Sequence, residues 1–265
     1  MNVPGPGASN LLSTQSAGHL SECRVEKESG QDRLNICFIG WGAIAQRAGH
    51  LLLERNAGNV NIVAVAVRDG SKPRPGLPTG AALIERPDDL FDVDADLVIE
   101  AAGRKSVALW AAPALHAGAD FLVSSTSAFC DEALLSTLHR LAIQTRRKII
   151  IPPGALGGMD ALGAAALTQL TRVEHTIVKP PSAWRATLAE EVLDLDNLSH
   201  AETFFTGSAR ESANQFPKNA NVAIISAMAG LGLDKTSISL VADPTATRNT
   251  HRICADGAFG RMEIR

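Results

Sequence analysis

Hydrophobic residues in this chain come in short unbroken runs separated by stretches with a helical period. The run 34–39 is apolar almost throughout and reads as a buried strand. Gly40-Trp41-Gly42-Ala43-Ile44-Ala45 follows at once, and a helical pattern continues to about residue 54 with Ile44, Ala48, Leu51 and Leu52 on one side. A second apolar run, 61–67, reads as the next strand and completes a strand-helix-strand unit long enough for a parallel crossover. The alternation goes on with a strand at 96–100, a helix over 106–117 that Pro113 should kink, and a strand at 121–123. A helix over 131–147 opens on Asp131 and Glu132 and closes on arginines, as the helix dipole favours, and a strand at 148–151 ends the series.

Strands that alternate with helices predict an α/β fold, an N-terminal Rossmann-type doubly wound parallel sheet over 34–150. After Pro152 the rhythm changes. An Ala-rich helix over 157–170 is followed by strands at 174–178, 202–205, 236–241 and 252–255, with one long helix near 221–231. That order predicts a second, α+β domain over 151–265. Residues 1–33 mix Gly, Ser, Pro and scattered charge without periodicity and are expected to be a disordered extension. There is no internal repeat.

Composition narrows the function classes. Of 265 residues 45% are hydrophobic, enough for a sizeable core. A net charge of -3 gives no basic footprint for nucleic acid or an anionic membrane, and an aromatic content of 4% gives no base-stacking platform. Cys23, Cys37, Cys130 and Cys254 are far apart, without metal-ligand spacing, so no metal is expected and a reducing, cytoplasmic setting is. No apolar run is long enough to span a bilayer, and residues 1–20 lack the charge and apolar core of a secretory signal.

The candidate chemistry begins at Gly40-x-Gly42-x-x-Ala45, placed between a predicted strand and a predicted helix. Gly40 permits the tight turn, Gly42 leaves room for a pyrophosphate against the backbone, and Ala45 lets helix pack on strand. The first N–H groups of the helix, at Ala43 and Ile44, would carry the diphosphate of a dinucleotide. At the end of the second strand Arg68-Asp69 leaves both NAD and NADP open, since Arg68 suits a 2′-phosphate and Asp69 a ribose hydroxyl. Small residues at Ala101-Ala102-Gly103 and at 124–128, ending in Ala128, stand where strand ends should face the cofactor. Trp41, between the glycines, is left open between an adenosine contact and simple packing.

Five later segments carry a resemblance. They are Pro153-Gly154-Ala155-Leu156-Gly157-Gly158-Met159-Asp160, Lys179-Pro180-Pro181-Ser182-Ala183-Trp184, Phe205-Thr206-Gly207-Ser208-Ala209, Phe216-Pro217-Lys218-Asn219-Ala220-Asn221-Val222-Ala223, and Ala242-Asp243-Pro244 with Asn249-Thr250-His251. In combination the chain resembles the bacterial L-aspartate dehydrogenase family over about 34–260. The resemblance implies oxidative deamination of L-aspartate with NAD or NADP, giving iminoaspartate, then oxaloacetate and ammonia, with a possible outlet into NAD biosynthesis. It implies that His251 is catalytic, that Ala155 and Asn221 touch the dinucleotide, and that the protein is a homodimer. Family members continue past the Phe-Gly matching Phe259-Gly260 with a strand and a closing helix, so the second domain is expected to be short at its C-terminus.

The chemistry fits those residue types. Loss of hydride from Cα needs a neutral amine and then water on the iminium carbon, and histidine moves protons well near neutral pH. A dicarboxylate needs cations or N–H groups, for which Lys179, Lys218 and the turn around Ser208 are candidates. Ser208 is also placed to cap the helix after it. The remaining histidines, His175 among them, are read as structural. Two alternatives stand beside the main reading: a related two-domain reductase of another small carboxylate, and a dinucleotide-binding protein without turnover.

Overall fold

The computed structural model describes residues 33–56, 58–217 and 220–265. The segment 1–32, where the extension is expected, and the candidate Lys218 lie outside them. The described residues divide into two compact units, one ending at Pro152 and the other Pro153–Arg265.

The first unit holds β1 (Leu34–Ile39), α1 (Ala43–Arg55), β2 (Val60–Ala66), β3 (Ala82–Ile84), β4 (Leu97–Glu100), α2 (Arg104–His116), β5 (Asp120–Val123), α3 (Glu132–Thr145) and β6 (Ile149–Ile150). Its sheet runs β3-β2-β1-β4-β5-β6 with every neighbour parallel. Unbroken apolar runs suit this because a parallel sheet is covered on both faces. Ile36, Cys37, Phe38 and Ile39 are accordingly all buried in succession. The strand order reverses between β1 and β4, where α/β sheets open a crevice for ligands at the C-terminal strand ends.

Helix ends follow local chemistry. Asp131 caps α3 by accepting the Leu134 N–H at 3.1 Å, and Arg146 closes it in a left-handed conformation, φ 56°. The kink expected at Pro113 does not interrupt α2. The proline sits in the last turn, so the missing N–H forfeits one bond, at the carbonyl of exposed Leu109. Trp41 turns inward, 8% exposed, edge-on to Phe38 at 5.6 Å and with its Nε1–H on the Pro75 carbonyl. Its ring lies so close to Gly49 of α1 that a Cβ there would stand 2.9 Å from it. Packing, not an adenosine contact, explains this tryptophan.

The second unit holds α4 (Met159–Ala166), β7 (Leu170–Lys179), α5 (Ala189–Val192), β8 (Glu202–Ser208), α6 (Ala209–Gln215), α7 (Ala220–Ala229), β9 (Ser237–Ala242), β10 (Thr250–Gly257) and β11 (Gly260–Ile264). Its mixed sheet runs β11-β10-β7-β9-β8, with β7 and β9 parallel and the other pairs antiparallel. Helices α6 and α7 pack together, α6 on β8 and β9 and α7 on β7. Strand alternation puts Val173, His175 and Ile177 of β7 with Ile238 and Leu240 of β9 and Ile253 and Ala255 of β10 on one buried face. Helix α7 is apolar nearly all round, as a helix buried on all sides should be, and Ser226 is its buried polar exception.

Gly40 takes φ 88°, and a Cβ built on it would meet the Ala102 Cβ at 2.8 Å and the Ala101 carbonyl at 3.0 Å. Gly40→Ala is therefore expected to lower unfolding free energy by about 1–3 kcal/mol. A urea midpoint equal to the wild type's would contradict this.

Candidate active site

In the first unit the reversal point is built around one carboxylate. Glu100 ends β4 with 0% exposure. Its Oε1 accepts the N–H groups of Ala102 at 2.8 Å and Gly103 at 2.7 Å and the hydroxyl of Ser125 at 3.0 Å; its Oε2 accepts the Ser125 N–H at 2.9 Å. Buried carboxylates survive only with such donors. The bonds tie the loop after β4 to the loop after β5, while the Glu100 carbonyl accepts the Ser124 hydroxyl at 2.8 Å.

Beside it, the N-terminus of α1 has no side-chain cap and no acid in its first turn. A Cβ on Gly42 would meet nothing within 4 Å, and Ile44 is 73% exposed. Uncapped N–H groups, open space at Gly42 and no competing anion fit the diphosphate of a dinucleotide. Ala45 is fully buried under the helix and Ala102 lies exposed at the loop. Ala128 is buried with its N–H on the Ser125 carbonyl at 3.0 Å, so it braces the loop and offers no side-chain surface to a ligand. Arg68 is exposed. Asp69 is engaged locally: the Ser71 hydroxyl donates to it at 2.6 Å and Lys72 pairs with it at 3.1 Å, which holds its carboxyl below the usual range.

In the second unit two histidines meet. His251 of β10 lies opposite Ile177 and His175 opposite Ile253, so the rings are diagonal neighbours on one face. His175 Nε2 is 3.0 Å from His251 Nδ1, and His175 Nδ1 is 2.8 Å from Ser226 Oγ. Two residues on from Ile177, at the end of β7 where the buried face gives out, stands Lys179. Its Nζ lies 5.0 Å over the ring of Trp184, itself buried, bonded to the Val241 carbonyl at 3.0 Å and packed edge-on against Phe204 and Phe216. His251 and Lys179 are half-buried.

Burial, and then His251, push His175 down to about 3. Burial first and the Lys179 charge second pull His251 below the ordinary imidazole value, and burial pulls Lys179 below the lysine range. His251 is thus a neutral base near neutral pH.

The other expected residues fall as follows. Ser208 caps α6, but its N–H, at 2.7 Å, and its hydroxyl, at 2.9 Å, both donate to Glu211 of a reciprocal capping box. Its donors are spent within the turn, and the expected contact with a substrate carboxylate gives way to capping. Ala155 is exposed in the loop before α4, and Asn221 is exposed in the first turn of α7. Glu100, His175 and Ser226 were not foreseen as site residues. Each carried a signal all the same, a polar residue at a position whose neighbours in the pattern are core.

A glycine-rich crevice at the reversal of a parallel sheet, followed by a unit with a neutral histidine beside a lysine, defines an oxidoreductase of the nicotinamide-dependent, two-unit class. Residues 40–152 match the model of the homoserine dehydrogenase NAD binding domain, and residues 160–265 that of the aspartate dehydrogenase C-terminal domain. The chain is 54% identical over 230 residues to an L-aspartate dehydrogenase of Brucella anthropi, covering 87% of this chain and 85% of that one. It is 41% identical to an L-aspartate dehydrogenase of Pseudomonas aeruginosa, covering 87% of each. The crystal structure of aspartate dehydrogenase from Thermotoga maritima superposes with a TM-score of 0.69 at 25% identity over 88% of each chain. A scyllo-inositol dehydrogenase of Lactobacillus casei, 14% identical with a TM-score of 0.53 over 89% of this chain and 76% of its own, shares the fold. The chain belongs to the L-aspartate dehydrogenase family. No helix among the described residues is long and apolar enough to cross a membrane.

The buried imidazole makes stability depend on pH. The unfolded chain takes up a proton on His175 near pH 6.5, whereas the folded chain resists to about 3. Its contribution is therefore fully present above 6.5 and falls on acidification between those values, by at most about 1.4 kcal/mol per pH unit. Urea midpoints measured across this window should fall less steeply in His175→Leu than in the wild type; parallel slopes would contradict the assignment.

Proposed function

We propose that the protein oxidatively deaminates L-aspartate with NAD or NADP. The product is iminoaspartate, which water converts to oxaloacetate and ammonia and which can feed NAD biosynthesis. The observation that carries the reading is the neutral, half-buried His251 beside Lys179, in a chain 54% identical to an L-aspartate dehydrogenase.

The dinucleotide, when bound, supplies the hydride acceptor. Gly40, Gly42, Ala43, Ile44 and Ala45 hold its diphosphate on the α1 N-terminus, and the Glu100-braced loop presents Ala102. Arg68, exposed while Asp69 is engaged locally, supports acceptance of NADP alongside NAD. Ala155 and Asn221 supply further dinucleotide contacts, as in the family resemblance. Lys179, whose Nζ lies over the Trp184 ring, gives a cation for a substrate carboxylate. His251 removes the proton that leaves the substrate amine neutral, releases it to solvent, and so is neutral again to take one from the water that attacks the imine carbon. The protein works as a homodimer in the cytoplasm.

The test is absorbance of the reduced nicotinamide with L-aspartate and NAD or NADP in separate cuvettes. A rise with L-aspartate, absent with D-aspartate and L-glutamate, is expected. His251→Ala should lower kcat by about 10²–10⁴ and leave dinucleotide Kd within about twofold. Tight dinucleotide binding without any aspartate-dependent rise would overturn the proposal.

A further inference from the structure

We propose that His175 and Ser226 are positioning residues that hold His251 as its Nδ1–H tautomer, so that its Nε2 carries the lone pair that receives the substrate's proton. This rests on the dehydrogenase reading above and deepens it.

The argument is a count of protons. Ser226 has one hydroxyl hydrogen, and it is given to the Ala223 carbonyl one turn back in α7, at 3.0 Å. Ser226 Oγ can then only accept from His175, at 2.8 Å, which puts a hydrogen on His175 Nδ1. A ring held neutral has one N–H, so His175 Nε2 is an acceptor. Across the 3.0 Å contact the donor must be His251 Nδ1–H. A neutral His251 with hydrogen on Nδ1 has none on Nε2.

The reverse chain of bonds is possible on distance alone. Ser226 would donate to His175 Nδ1, and His175 Nε2–H to His251 Nδ1. That arrangement gives up the bond from Ser226 to Ala223 and makes two bonds where the first makes three. In a site where His175 and Ser226 both show 0% exposure, no water replaces the lost one. The reverse chain would also place hydrogen on the nitrogen that has to receive one.

A neutral partner also differs from the carboxylate that commonly orients a catalytic histidine. It fixes tautomer and ring plane without adding negative charge. The groups facing His251 are the His175 ring and Lys179 from β7, and neither raises its basicity. The base stays uncharged next to the cation that would receive a substrate carboxylate.

Long-range 1H–15N spectra of the full chain read the tautomer from the ring nitrogens themselves, at about pH 8 where both rings are neutral. The expected result is a protonated Nδ1 and bare Nε2 on His251. Ser226→Ala should shift hydrogen to His251 Nε2 and lower kcat by about tenfold or more, with KM and dinucleotide Kd unchanged. Ser226→Thr, which keeps the hydroxyl, should restore both. A wild-type His251 with hydrogen on Nε2 overturns the proposal, whatever the activity. So does a Ser226→Ala protein that keeps the wild-type tautomer and kcat. The expected tautomers without any turnover of L-aspartate would support the bonded chain and overturn the dehydrogenase reading instead.

Discussion

The second unit depends on the register between β7 and β10. Side chains alternate along a strand, so a slip of one residue would carry His251 to the opposite face and away from His175. The register is held because the same face carries Ile177, Ile253 and Ala255, all buried, and a slip would expose them together. β7 is held on its other side as well, where Ile238 and Leu240 of β9 stand opposite His175 and Ile177. The apolar pairs that make the core are thereby the same device that aims the polar ones. Lys179 and His251 come at the end of this face, where cover gives out and a small molecule can reach them.

The first unit solves the same problem with charge. Three loops leave the strand ends at β1, β4 and β5. Glu100 gathers two of them through backbone N–H groups, and the close approach of Gly40 to Ala101 and Ala102 sets the third against them. The crevice is shaped by bonds already made before any ligand arrives, which is how a site avoids ordering its loops at the expense of affinity.

Local signals were legible in the sequence and distant ones were not. The strand, glycine turn and helix at 34–55 could be read directly, because the pattern, the turn residues and the helix start all lie within one window. Short or polar elements escaped: β3 has three residues and β11 is charged at alternate positions, while α6, polar along most of its length, was legible only through its cap at Ser208. His175 reads as core from its own strand, since Val173 and Ile177 flank it on the same face; its partner lies 76 residues away, and pairing of strands at that distance leaves no mark in a periodicity. Glu100 and Ser226 were visible as misfits, a carboxylate in a strand apolar on both faces and a hydroxyl in an apolar helix. Such misfits mark buried polar networks more often than errors of pattern. The candidacy of Lys179 could be framed from charge, but not its seat over Trp184, which needs the turn between them.

Trp41 and Gly49 leave a different kind of trace. The indole occupies the place that a side chain at 49 would need, with Ile62 at 3.2 Å on its other side. A glycine inside a helix is an unfavourable choice that alanine would improve by up to about 1 kcal/mol on propensity alone. In any lineage descending from this sequence the two positions must therefore change in order. A smaller residue at 41 opens the way to alanine at 49, whereas alanine first is met by a wall of ring atoms. The tryptophan acts as a ratchet on the helix behind it, and sequence drift at these two sites is history-dependent although neither one touches chemistry.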